Sequence, residues 1–379
     1  MKHLILIATL FAFGAFQTDA QVTPPPNPRK VQVSILFDTS GSMDGLIDQA
    51  KSRIWNIVNE ISSLQYEGES PALEFALYRY GNDGLSATSN YIEQLLDLTS
   101  DMDAISQKLF ALTTNGGSEY CGAVIGKALS DLNWSVNPTD LKMIYIAGNE
   151  RFDQGSVDFR AECKKAKDRG IFINTIHCGT YEKGVIDLWK EGAECSGGDY
   201  FNINSDQNVV HISTPYDDKI QTYNDSLNST YYGYGSMGRA GKSSQSNEDG
   251  NASMSAPEVA TERAIVKSKS HVYDNSSWDI MDAEKSGTIN IEDLKEDQLP
   301  EEFKGKTDAE KKALVAQKQE EREAFQAKIG ELAAEREAFI AAELQKRADE
   351  GEEIDDFGSS VNQSIMEKAT SIGFQKETP

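Results

Sequence analysis

The sequence predicts an α/β domain with a doubly wound, mostly parallel sheet, followed by an α-helical C-terminal region. Two observations predict this division. Apolar runs of strand length alternate with segments of helical periodicity from about residue 31 to residue 228. Such alternation buries a parallel sheet under helices on both faces. The second observation concerns residues 258–379, which lose the strand pattern and turn rich in Ala, Glu, Lys and Arg, the composition of good helix formers.

Taken in order, residues 1–20 read as a signal peptide. Lys2 and His3 open a short basic start, Leu4 to Phe16 is apolar, and Thr18-Asp19-Ala20 offers a small-x-small cleavage site. About 20 apolar residues are needed to span a bilayer, so this run is too short for an anchor. Residues 21–30 form a stiff Pro-rich lead-in. The domain proper is expected over 31–228. Val31 to Phe37 is its first strand, and Leu46 to Leu64 is an amphipathic helix. Leu73 to Tyr80 is a strand, and Asp101 to Leu112 and Ser118 to Leu132 are helices. Leu141 to Ala147 is a strand, Val157 to Arg169 a helix stopped by Gly170, and Ile171 to His177 a strand. A helix from Val185 to Glu194, a short strand from Tyr200 to Ile203 and a helix from Pro215 to Leu227 complete the set.

Residues 229–257, rich in Gly, Ser and Asn, read as a linker. Within it, Gly233 to Gly238 spells GxGxxG, but no strand precedes it, so a dinucleotide site is not expected. Residues 258–379 form the charged helical extension. Thr307 and Glu310 make a capping box that opens a long helix to about Asp349. Phe325, Leu332 and Phe339 recur every seven residues, with Arg336 in the seam. This stripe suits a helix docked on its own domain or a coiled-coil surface. Asp282 to Asp293 fits a calcium loop in outline, with weak ligands at several positions. Val361 to Phe374 reads as a terminal helix.

The chain of 379 residues carries 37 basic and 61 acidic side chains, a net charge of −24. The acidity is shared, since residues 258–379 hold 17 basic and 29 acidic residues. Such a balance argues against a nucleic-acid partner, which needs a basic face, and disfavours an anionic membrane surface. Cys121, Cys163, Cys178 and Cys195 are an even set, suggesting two disulfides in an oxidising compartment with three possible connectivities.

The chemistry concentrates at Asp38-Thr39-Ser40-Gly41-Ser42-Met43, where the first apolar strand breaks off. A loop that curls here brings one carboxylate and two hydroxyls toward one point, which suits a hard divalent cation. Three rivals compete. An aspartic protease needs a second Asp-Thr-Gly, and Ser40 displaces the Gly here. A phosphoryl-transfer aspartate needs a later Lys and an acidic pair after another strand, where this chain has Ala147-Gly148. A Ser-rich turn that merely caps the next helix is the third.

With these residues the stretch 31–228 resembles a von Willebrand factor A domain, a Rossmann-like fold. Asp38, Ser40 and Ser42 match the first loop of that family's metal-ion-dependent adhesion site (MIDAS). Ser118, after Asn115-Gly116-Gly117, stands where the family has a Thr. The family's third loop carries an Asp, and Ala147 takes that position here, leaving Asn149 and Glu150 to reach the ion's water shell. The resemblance implies Mg²⁺ (or Mn²⁺ or Ca²⁺), no enzymatic activity, and a protein partner whose acidic side chain completes the coordination. The expected function is cation-dependent protein binding in adhesion or envelope assembly, in a chain exported to the periplasm or beyond. The alternative is a metal-independent scaffold that keeps the fold. His177 and His211 are expected to serve the core or rim rather than catalysis.

Overall fold

A computed structural model describes residues 28–44, 47–203, 212–351 and 357–376, with the main chain alone over 47–53. The expected signal peptide, most of the Pro-rich lead-in and His211 lie outside the described residues. The elements run β1 (Lys30–Asp38), α1 (Ile47–Ile61), β2 (Leu64–Tyr66), β3 (Ala72–Tyr80), β4 (Ile92–Thr99), α2 (Met102–Phe110) and α3 (Cys121–Asp131). They continue through β5 (Leu141–Gly148), α4 (Phe159–Asp168), β6 (Phe172–Cys178), α5 (Tyr181–Ile186), α6 (Trp189–Glu194), β7 (Tyr200–Ile203) and α7 (Asp217–Asn228). The chain then forms α8 (Gly238–Ser255), α9 (Pro257–Lys267), α10 (Ile280–Lys285), α11 (Asp308–Asp349), α12 (Phe357–Ser371) and β8 (Phe374–Lys376).

Six strands form one sheet in the order β4-β3-β1-β5-β6-β7, parallel except for β4. The order reverses between β1 and β5, where strands leave in opposite directions and a crevice opens at their carboxyl ends. β1 and β5 are almost wholly buried because helices cover both faces. Val31, Val33, Ile35 and Phe37 point into one core with α1, α2 and α7, while Leu36, Ile144 and Ile146 point into the other with α3, α4 and Trp189.

Several elements depart from the sequence reading. β4 was not expected: it is an edge strand, mostly half-exposed and carrying Glu93 and Asp97, so its apolar alternation is weak. The predicted helix 185–194 is two, because Leu188 adopts a left-handed conformation (φ 71°) between α5 and α6. The terminal helix stops at Ser371, and β8 pairs antiparallel with β2. The largest correction concerns the linker, where residues 238–255 are helical. Its glycines serve close approach rather than flexibility. A Cβ at Gly241 would run into the Trp278 indole, and one at Gly238 into the Gly233 backbone.

The helical extension is not a separate body. Val259, Ala264, Val266, Ile329, Leu332, Val361 and Ile365 belong to the same apolar core as β1 and α1. The seven-residue stripe therefore docks on the chain's own domain, with Phe325 against Tyr223 and Phe339 against Tyr216. Asp282, the first position of the outlined calcium loop, lies inside α10 and bonds Arg322 at 2.7 Å, which removes it as a calcium ligand.

Candidate metal centre

Asp38 ends β1 with no exposed surface. Burial raises its pKa well above the carboxylate range, and the neighbouring Glu119 charge raises it further. The loop after it is pinned to β3, since the Thr39 amide and hydroxyl both donate to the Tyr80 carbonyl, at 2.9 and 3.1 Å. The Ser40 amide donates to Asp38 Oδ1 at 2.8 Å and turns the chain back. Gly41–Met43 is a 3₁₀ turn anchored by buried Met43. The Ser40 and Ser42 hydroxyls then lie 2.9 Å apart, and Ser42 donates to Asn149 Oδ1 at 3.0 Å. Thus β1 and β5 bring Asp38, Ser40, Ser42 and Asn149 into one cluster.

The second loop packs against the first. The Asn115 amide donates to the Thr39 carbonyl at 3.0 Å, and a Cβ on Gly41 would sit 3.3 Å from the Gly116 nitrogen. Ser118 is half-buried in this loop. The next residue, Glu119, is 4 % exposed and lies beside Asp38, since a Cβ on Gly81 would sit 2.7 Å from Asp38 Oδ1 and 2.9 Å from Glu119 Cγ. Burial raises the Glu119 pKa too. Sequence reasoning stopped at the hydroxyl and missed this acid; the available signal was a carboxylate directly after Gly-Gly-Ser.

The third loop is organised differently from the sequence expectation. The Ala147 side chain joins the apolar core on the α1 face. Gly148 is the residue that faces Asp38, since a Cβ there would lie 3.1 Å from Asp38 Oδ2. That Cβ would also lie 2.6 Å from the Tyr80 hydroxyl and 2.9 Å from the Trp189 ring, so no side chain fits. Glu150 is exposed at the rim, and its carbonyl accepts from Trp189 Nε1 at 2.7 Å.

Asp38 Oδ2 is buried and has no hydrogen-bond partner. Unpaired, such an atom is costly. Among the described residues no group of three or more His, Cys, Asp and Glu is arranged to hold a metal. The donors gathered here are instead all oxygen: two carboxylates, two hydroxyls and the Asn149 amide oxygen. That set fits a hard cation and not a soft one.

His177, next to last in β6, is fully buried beside Trp189, with neither ring nitrogen hydrogen-bonded. Burial, with the Lys183 charge, lowers its pKa and keeps it neutral. Two disulfides were expected, and one is present, Cys163–Cys195, joining α4 to the end of α6. Cys121 and Cys178 are buried thiols that pack into cores on opposite faces of the sheet, so the sheet itself separates them. Among the described residues no helix is long and apolar enough to cross a membrane.

No family model and no curated protein matches the chain. Solved structures do. One is proximal thread matrix protein 1 from the mussel byssus, at 15% identity and TM-score 0.35, covering 47% of this chain and 43% of that one. The same mussel protein with a zinc-occupied MIDAS motif matches at 14% identity and TM-score 0.36, covering 48% and 43%. BatB from Bacteroides thetaiotaomicron matches at 18% identity and TM-score 0.35, covering 46% of this chain and 90% of that one. The chain thus spans less than half of the mussel protein. At these scores the likenesses carry no argument about the site, which rests on the strand order and the strand-end loops themselves.

Proposed function

We propose that this chain is a divalent-cation-dependent protein-binding module and not an enzyme. The observation that carries the reading is Asp38 Oδ2, buried without a partner at the end of the central strand and next to the Ser40–Ser42 hydroxyl pair. A hard cation of the Mg²⁺, Mn²⁺ or Ca²⁺ kind satisfies that oxygen. Asp38, Ser40, Ser42 and Asn149 would hold it, and its remaining water positions would be open to an acidic side chain of a partner protein. What the cation supplies is a positive charge that bridges two oxygens. The chain's own residues fix its place, through the Thr39 bonds to β3 and the Asn149 bond across to β5. Binding rather than turnover is supported by His177, whose buried neutral ring faces Trp189 and is bonded to none of these oxygens. The Cys163–Cys195 bridge supports the exported setting that residues 1–20 suggest.

The test is calorimetric titration of Mg²⁺ and Mn²⁺ into the wild type and Asp38→Ala, with partner capture from the native envelope with and without EDTA. Binding lost in Asp38→Ala and capture lost in EDTA are the expected outcomes. Capture indifferent to EDTA favours a metal-independent scaffold, a reading that the sealed position at Gly148 supports.

A further inference from the structure

The cation reading leaves one question, because the strand that normally brings a further acid has none. Gly148 faces Asp38 but is closed by the Tyr80 hydroxyl and Trp189. We propose that Glu119 supplies the second carboxylate of the cation site, from the second loop instead of the third. This inference rests on the proposed cation binding.

Three independent observations carry it. First, Glu119 is buried against Asp38 at 4 % exposure, a place an acid occupies only when its charge is answered. Arg and Lys answer buried acids elsewhere in this chain. Here, among the described residues, neither Asp38 nor Glu119 forms an ion pair of the kind that Arg263, Lys267 and Arg322 make. Second, Asp38 Oδ2 is buried with no hydrogen-bond donor aimed at it. Third, the residue that follows β3 is a glycine that makes the pairing possible. A Cβ on Gly81 would lie 2.7 Å from Asp38 Oδ1 and 2.9 Å from Glu119 Cγ. Gly81 also has φ +73°, a conformation that glycine adopts freely. The end of β3 is therefore shaped to seat two carboxylates side by side.

Two carboxylates balance a divalent ion. The ion is then retained by the free protein, and a partner's acid adds to the site rather than creating it. Ligand charge is a main determinant of affinity in oxygen sites, so Glu119 sets how tightly the ion is held, while Ser118 in the same loop contributes at most a neutral oxygen.

The experiment is titration of Mg²⁺, Mn²⁺ and Ca²⁺ into the chelator-treated full chain, followed by calorimetry and by Trp fluorescence, for which Trp189 beside Glu150 is a reporter. Variants are Glu119→Gln, Glu119→Asp, Ser118→Ala and Asp38→Ala, each checked by circular dichroism. Glu119→Gln is expected to weaken the ion about tenfold or more, Glu119→Asp less, and Ser118→Ala about threefold or less. Wild-type affinity in Glu119→Gln alongside loss in Asp38→Ala overturns the role of Glu119 and leaves the cation site standing. No titration in the wild type, or wild-type affinity in Asp38→Ala, overturns both. The melting temperature without metal separates folding from binding: a Glu119→Gln protein that melts at or above the wild type yet gains less from added ion supports the proposal.

Discussion

Two regions of this molecule bury carboxylates, and they answer the charge in different ways. In the helical layer formed by α7 to α11, and where α2 meets it, buried acids sit beside cations of the chain. Arg263 bonds Asp103 at 2.5 Å and Asp249 at 2.8 Å, and Lys267 bonds Asp249 at 2.5 Å. Arg322 bonds Asp279 at 2.8 Å and Asp282 at 2.7 Å, and stacks 3.8 Å over the Tyr231 ring. Arg336 spans Asp217 and Glu262. At the strand ends, Asp38 and Glu119 face each other and hydroxyls. The helical layer is self-compensated, so its charges hold the extension to the domain. On the proposed reading, the strand ends take their compensation from outside, and their charges select a ligand. The same amino-acid type does structural work in one place and, under the proposed function, recognition in the other, and the deciding variable is the sign of the nearest side chain.

The largest effect that sharpens this contrast is removal of a cation from the layer. Arg322→Met strands two acids, one of them fully buried, and frees the Thr230 carbonyl that Arg322 also bonds at 2.7 Å. Breaking a buried pair on one side costs about 3–5 kcal/mol. Urea unfolding should show the unfolding free energy falling by that amount, with a lower midpoint, and α11 should become the first segment cut in limited proteolysis. An unchanged midpoint would mean that apolar docking alone holds α11.

Acid should dissolve the layer before it touches the sheet. Burial alone would raise the pKa of Asp249, but Lys267 and Arg263 outweigh it and hold it at about 2. A carboxylate depressed in the folded state contributes its stability above the unfolded value near 4 and loses it as pH falls through 2. The loss amounts to about 2–3 kcal/mol. Wild-type stability measured by urea from pH 5 to pH 2 should show that slope, and Asp249→Asn, already weaker at neutral pH, should show less of it.

The strand ends should respond with the opposite sign. Asp38→Asn keeps an oxygen for the Ser40 amide and removes a buried carboxylate that, among the described residues, forms no ion pair. In EDTA at pH 7 the variant is expected to be more stable than wild type by about 1–2 kcal/mol, whereas Mg²⁺ should stabilise only the wild type. Thermal melts with and without the ion read both. Destabilisation in EDTA would place Asp38 with the structural acids and break the comparison.

This contrast was only half legible in the sequence. The first loop was readable because Asp38, Ser40 and Ser42 are close in sequence and follow an apolar run. Glu119 was not, since its role depends on the close approach of Gly81, 38 positions earlier and just past the end of β3. The missing third-loop acid was placed at Ala147, yet the pleat turns Ala147 into the core and Gly148 toward Asp38. The parallel strands and most helices followed from periodicity, which reports burial on one or two faces. Residues 238–255 were misread because glycine in sequence signals freedom, whereas here Gly241 admits the Trp278 ring. The ion pairs of the layer were invisible for the same reason as Glu119, since Arg322 and Asp279 lie 43 residues apart.

The smallest effect is a control on what distance alone can tell. Lys164 bonds Asp168 at 2.6 Å one turn along α4, closer than Arg322 to Asp279. Both partners are mainly exposed, at 74% and 60%. Water already solvates each charge, salt screens the pair, and two side chains lose freedom to meet. Asp168→Asn should therefore leave the urea midpoint unchanged within error, at low and at high salt. If it moved the midpoint as far as Arg322→Met, bond length rather than burial would rank the charges of this chain, and the unanswered acids at the strand ends would lose their special standing.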